Sequence, residues 1–127
     1  MFPHAPGADA AARPVLIASE IYRSSSYGSK HPLGIARVSA ALDLCHAAGW
    51  IAPDQYVDSP RATPQQLARF HHPDYIAAVM RAEAEQSLPE ELAERYHIGR
   101  FGNPIYPEVF RRPATSCGAG ILAAQML

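Results

Sequence analysis

The chain has 127 residues, enough for one small domain, with 48% hydrophobic and 18% charged residues. A net charge of −1 gives no electrostatic case for nucleic acid or an anionic membrane surface. No apolar run approaches the roughly 18 residues of a membrane span. The opening stretch, MFPHAPGADAAARP, has neither the basic start nor the apolar core of a signal peptide. Its Ala, Pro and Gly content predicts a flexible N-terminus over residues 1–13, with a cytoplasmic location as the default. Cys45 and Cys117 both fall in apolar helical patterns and are expected to be buried free thiols.

Pro14 to Ser19, PVLIAS, is rich in β-formers, and its continuous apolarity suits a strand buried on both faces. A loop follows over Glu20 to Gly34, opened by Gly28, Ser29 and Pro32. From about Ile35 the spacing turns helical: Ile35, Val38, Ala41, Leu42 and Cys45 form one stripe, which should pack on a sheet, and Gly49 marks the stop. Gln55 to Asp58 is a second, short strand. Strand, helix and strand predict a parallel, right-handed βαβ unit.

Thr63 is a good N-cap and Pro64 a good first position for the next helix, with Leu67 and Phe70 expected to face inward. Pro73 and Asp74 open another, with Tyr75, Ile76, Val79 and Met80 as its apolar stripe and Arg81, Glu83 and Glu85 as its wet side. Pro89 to Arg95 reads as a short polar helix and Tyr96 to Tyr106 as a loop. From Pro107 on the pattern is helical, with Pro113 expected to kink or break it. The last turns, CGAGILAAQML, are small and apolar almost all round, as in a helix buried inside a larger body. Two parallel strands leave edges unpaired, so the domain is expected to be incomplete.

No catalytic set assembles from residue chemistry alone. His71-His72-Pro73-Asp74 could suggest a metal, but neighbouring side chains diverge and an ion needs three or four convergent ligands. These histidines read as loop residues flanking a helix N-cap. Ser24-Ser25-Ser26 and Ser116 lack a glycine-flanked elbow. Gly99 and Gly102 do not have the spacing of a phosphate loop. Arg37 stands out, because it falls in the first turn of the helix beside Ile35 and Val38. Two readings are open: a snorkelling surface arginine, or a buried guanidinium presenting its fork of donors.

Taken together, these segments resemble the N-terminal part of the histone deacetylase family, in particular the bacterial branch of acetoin-utilisation proteins. Four landmarks occur in order over residues 14–127. They are His31-Pro32 with Arg37 following; ATPQQLARFHHPDYIAAV from Ala62 to Val79; Gly99 with the Asn103-Pro104-Ile105-Tyr106 loop; and the Ser/Gly/Ala-rich helix from Ser116 to Leu127. The resemblance implies an α/β fold, the N-terminal part of an arginase-like parallel sheet flanked by helices. It implies zinc-dependent deacetylation of acetyl-lysine or a small acetylated amine in the complete domain.

The same resemblance puts the zinc ligands (two Asp and a His), the tandem His pair and the carbonyl-polarising Tyr beyond this chain. No catalytic residue and no metal ligand is therefore expected within it, and no zinc bound by it. It implies that Arg37 lies at the inner end of the substrate tunnel, buried on backbone oxygens, that His31 and Pro32 line the pocket, and that Gly102 and Asn103 stand in the rim loop. Many family members carry a substrate-gripping Asp at that last place, and Asn103 brings no charge. The expected partners are an acetylated amine and the missing C-terminal part of the domain, with no nucleic acid and no membrane. The competing expectation is a small helical binding or assembly module that uses its apolar last helix.

Overall fold

A computed structural model describes residues 13–33 and 36–127. The expected flexible lead-in lies outside these residues except for Arg13, as does Ile35, the first member of the predicted stripe. Strand β1 (Leu16–Ala18) is followed by a short helix α1 (Ile21–Ser24) and then by α2 (Arg37–Ala47). Strand β2 (Tyr56–Asp58) comes next, with α3 (Pro64–Leu67), α4 (Pro73–Glu85), α5 (Glu90–Tyr96) and α6 (Arg111–Gln125) behind it. The two strands pair in parallel, Leu16 against Tyr56, Ile17 against Val57 and Ala18 against Asp58, as the βαβ pattern predicts.

The ends of the elements are set by local chemistry. Helix α2 stops in a Schellman arrangement: Gly49 N–H donates to His46 O and Trp50 N–H to Cys45 O, both at 3.0 Å, with Gly49 at φ +69°. Thr63 and Gln66 form a reciprocal capping box at the start of α3. His72 caps α4, its Nδ1 accepting from Asp74 N–H at 3.2 Å. Pro113 neither kinks nor breaks α6, because it lies in the first turn, where proline is tolerated.

The core gathers Ala78 and Ala82 of α4 with Ile98, Tyr106 and Val109 from the following segments, and Tyr27, Tyr75 and Val79 pack against it. Helix α6 is docked by a backbone seam. Ala62 N–H donates to Ala114 O at 2.9 Å and the Ser59 hydroxyl to Thr115 O at 2.8 Å. Gly118 lies where the chain passes closest: a Cβ there would stand 1.9 Å from Pro60 O.

Several expectations from sequence need correction. The loop after β1 contains α1. Helix α3 ends at Leu67, which leaves Phe70 beyond it and 89% exposed. On α4 the buried face runs through Ala78 and Ala82 as well as Ile76, and Met80 is exposed. Glu83 is not on the wet side but turns inward. Its Oε2 accepts from Phe110 N–H (3.0 Å) and Arg111 N–H (2.9 Å), and its Oε1 accepts from Arg111 Nε at 2.7 Å. A carboxylate thus satisfies orphan amides at the start of α6, where the helix dipole favours negative charge. Both cysteines are free thiols, but Cys45 is only half-buried and Cys117 is exposed. The end of α6 is more open than its apolarity suggests: its buried residues are Ala114, Thr115 and Gly118, whereas Ala123 and Ala124 are exposed.

Candidate functional site

Two loops meet across a recess of about 520 Å³. One wall is Tyr27 to Pro32, between α1 and α2; the other is Gly102 and Pro104, between α5 and α6. His31 clamps them. Its Nδ1 accepts from Leu33 N–H at 3.1 Å, which places the ring proton on Nε2, and Nε2–H donates to Gly102 O at 3.1 Å. One neutral tautomer therefore satisfies both bonds.

The α5–α6 loop is tightly wound. His97, Gly99, Phe101 and Gly102 all have positive φ, and for His97 (+53°) and Phe101 (+51°) that is a strained choice. Asn103 ties the loop together. Its N–H donates to Arg100 O, its carbonyl accepts from Gly99 N–H at 2.7 Å, and its side-chain Nδ2 donates to His97 O at 3.0 Å. That leaves Oδ1 as the side-chain acceptor of Asn103 for an outside donor. An ion pair between Arg100 and Glu90 anchors the loop to α5. Phe101, at the tip, is held edge-on to His97 and exposed to solvent.

Beneath the recess lies an aromatic and cationic stack. The Tyr27 ring packs beside His31 with centroids 5.0 Å apart and edge-on against Tyr106 at 4.9 Å. The Arg112 guanidinium lies over the Tyr27 ring, 4.4 Å from its centroid, and 5.7 Å from that of Tyr22. Among the described residues, Arg112 Nε and Nη1 are buried without an acceptor and Ser25 Oγ without a partner. Burial, and after it the neighbouring Tyr27 phenol, pushes the Tyr106 phenol up to about 12, against the pull of Arg112.

Of the residues singled out from sequence, His31, Pro32 and Gly102 line one recess, with Asn103 bracing its rim. Arg37 is not with them. It is exposed, its side chain makes no hydrogen bond among the described residues, and it lines a second, apolar groove beside β1. The expected burial on backbone oxygens is absent because nothing within the described residues covers that groove. The buried guanidinium is Arg112 instead. One sequence signal could have found it: two arginines in the first turn of a helix oppose its dipole, so each needs a partner. Arg111 has Glu83, and Arg112 has the tyrosine rings. Phe101 was also missed, and nothing in the sequence marks it. The His71-His72 pair is accounted for by the cap at His72 and by ring contacts of His71 with Phe70 and Tyr75. Among the described residues, no three His, Cys, Asp or Glu side chains are grouped to share a metal ion. No described helix is long and apolar enough to cross a membrane.

The chain matches no protein-family model. It is 28% identical over 110 residues to acetoin utilization protein AcuC of Bacillus subtilis, covering 87% of this chain and 28% of that protein. Histone deacetylase 9 of Arabidopsis thaliana is 29% identical over 103 residues, covering 80% of this chain and 24% of the relative. Among solved structures, an HDAC homolog complexed with SAHA superposes with a TM-score of 0.84 at 34% identity, over 88% of this chain and 30% of that one. The HDAC homolog from Aquifex aeolicus gives a TM-score of 0.83 at 33% identity, covering 87% and 30%. The chain thus spans less than a third of the length of each of these proteins, and its architecture is that of part of their fold.

Proposed function

Because the chain is related to the histone deacetylase family, we propose that it forms the part of a deacetylase-type amidohydrolase that builds one wall of the substrate mouth. The observation that carries this reading is the His31–Gly102 clamp. It holds the pocket-lining loop and the rim loop across one recess, and the resemblance had named residues on both.

The substrate class would be acetyl-lysine or a small acetylated amine. The recess would receive the stem behind the acyl group, with Asn103 Oδ1 open to a donor and Phe101 offering apolar surface. In this reading residues 14–127 are the N-terminal portion of the domain, 1–13 a lead-in, the setting cytoplasmic, and hydrolysis is not carried out by this chain alone. The zinc of the complete family domain does not fit the residues present here, since no described cluster offers three ligands. No chemical step is therefore derived through it. Arg37 would come to the inner end of the tunnel only once the groove beside β1 is filled. The rival assembly-module reading has no observation in its favour beyond the open end of α6.

Titration of the isotope-labelled chain with an N-acetyl-lysine amide tests the reading. Saturable amide shifts confined to Tyr27–Leu33 and Gly99–Pro104, absent with the unacetylated lysine amide, are expected. Shifts elsewhere, or equal shifts with both compounds, would remove the rim from the substrate path.

A further inference from the structure

The recess held by the His31 clamp carries charge of one sign. Lys30 is the one charged residue on its lining. That side chain is exposed and enters no ion pair among the described residues. Arg112 is a second cation beneath it, 4.4 Å from the ring centroid of Tyr27, which itself lines the recess. Two of its nitrogens, Nε and Nη1, are buried with no acceptor among the described residues.

The carboxylates that touch this region are already neutralised. Glu90, bonded to the rim loop, is paired with Arg100, and Glu83, at the start of α6, with Arg111. Asn103 braces the rim without charge. His31 is held as one neutral tautomer by its two bonds. Pro32, Gly102 and Pro104 complete the walls with uncharged surface. A hollow lined by one sign of charge over low-dielectric walls focuses its field inward. A guanidinium buried among aromatic rings is screened far less by water and salt than a surface charge. The potential in the recess is therefore positive: it repels a cationic ligand end and attracts an anionic one.

Resting on the deacetylase reading above, we propose that the recess selects acetylated amines that carry a carboxylate at the far end of the stem, with Lys30 as the specificity-determining residue, and turns away acetylated polyamines. An Nε-acetyl-lysine with a free α-carboxylate belongs to the selected class. Its stem lies against Pro32 and Pro104, and its carboxylate meets Lys30 Nζ.

Four probes are titrated into the isotope-labelled full chain at low ionic strength, and the amide shifts of Tyr27–Leu33 and Gly99–Pro104 are followed. Nα,Nε-diacetyl-lysine is the anion and its C-terminal amide the neutral form. N-acetylcadaverine has the same stem with a cationic end, and Nα-acetylnorleucine keeps the carboxylate but lacks the ε-acetamide. The anion should bind about two- to fivefold more tightly than the amide, the range of an exposed ion pair. The cation should bind more weakly than both, and the differences should close as salt is raised. Lys30→Gln should erase the preference for the anion over the amide, and Lys30→Glu should reverse it.

Equal binding of anion, amide and cation at the two loops, or tighter binding of the cation, overturns the charge selection and leaves the rim in the substrate path. A preference for the anion that survives in Lys30→Glu overturns it as well. Acetylnorleucine binding as tightly as diacetyl-lysine at the same loops does the opposite: the charge selection stands and the deacetylase reading falls. Shifts absent from both loops with every probe remove both.

Discussion

Replacing Gly118 by alanine tests the seam that docks α6. The added Cβ would stand 1.9 Å from Pro60 O, 2.8 Å from Pro60 C and 2.9 Å from Ala62 N, all backbone atoms that cannot rotate away. The segment must retreat, and in doing so it lengthens the Ala62 N–H to Ala114 O and Ser59 hydroxyl to Thr115 O bonds. Overpacking of this kind costs about 1–3 kcal/mol, and each weakened buried hydrogen bond adds about 1 kcal/mol. Alanine regains about 1 kcal/mol of helix propensity over glycine. The net expectation is a loss of about 2–4 kcal/mol. Gly120, two residues on in the same helix, has nothing within 4 Å of a built Cβ, so Gly120→Ala should gain about 0.5–1 kcal/mol. Urea unfolding of both variants beside the wild type, followed by circular dichroism, measures the pair. If both alanines stabilise the chain equally, the close approach of Pro60 to α6 is wrong and with it the docking of the last helix.

Glu83→Gln should cost about 2–3 kcal/mol, since the charge that answers two backbone amides and Arg111 is lost; the same urea titration reads it. His31→Ala removes the acceptor of Leu33 N–H and the donor to Gly102 O, so amide exchange at Leu33 should quicken by about five- to tenfold, equivalent to about 1 kcal/mol, while exchange in α4 is unchanged. The Tyr106 phenol is raised in the folded chain, so its contribution is fully present below the ordinary tyrosine value of about 10 and fades as pH rises toward about 12. Wild-type stability should therefore fall over that interval more steeply than that of Tyr106→Phe, which has no phenol to ionise; parallel curves for the two would remove the burial argument.

Residues three to five positions apart carried most of what could be read directly from the chain. The Thr63-Pro64 start, the helix opening at Pro73-Asp74 and the Gly49 stop each involve backbone groups within one turn, so the residues and the geometry they impose are local. The apolar run at Leu16–Ala18, the helical stripe after it and the short strand at Tyr56–Asp58 likewise implied parallel pairing, because few topologies join strand, helix and strand. On the resemblance, the chain also indicated the two loops that form the recess.

Tertiary structure decided which faces met, and that no local pattern contains. Glu83 looked like one more wet-side acid until α6, 28 residues further along, brought Arg111 and its free amides to it. Arg112 and Tyr27 are distant in sequence and became a stack only when the loop after α1 folded over the start of α6. Gly118 resembled Gly120 until Pro60 passed against one of them and not the other. Arg37 shows the opposite case: a helical position and a family resemblance pointed to burial, but burial is a property of whatever lies opposite, and opposite Arg37 the described chain leaves an open groove. Local sequence determines caps, stops and element type because those interactions close within a turn. Burial, pairing and clamp geometry are set by surfaces that the chain brings together only after its elements exist.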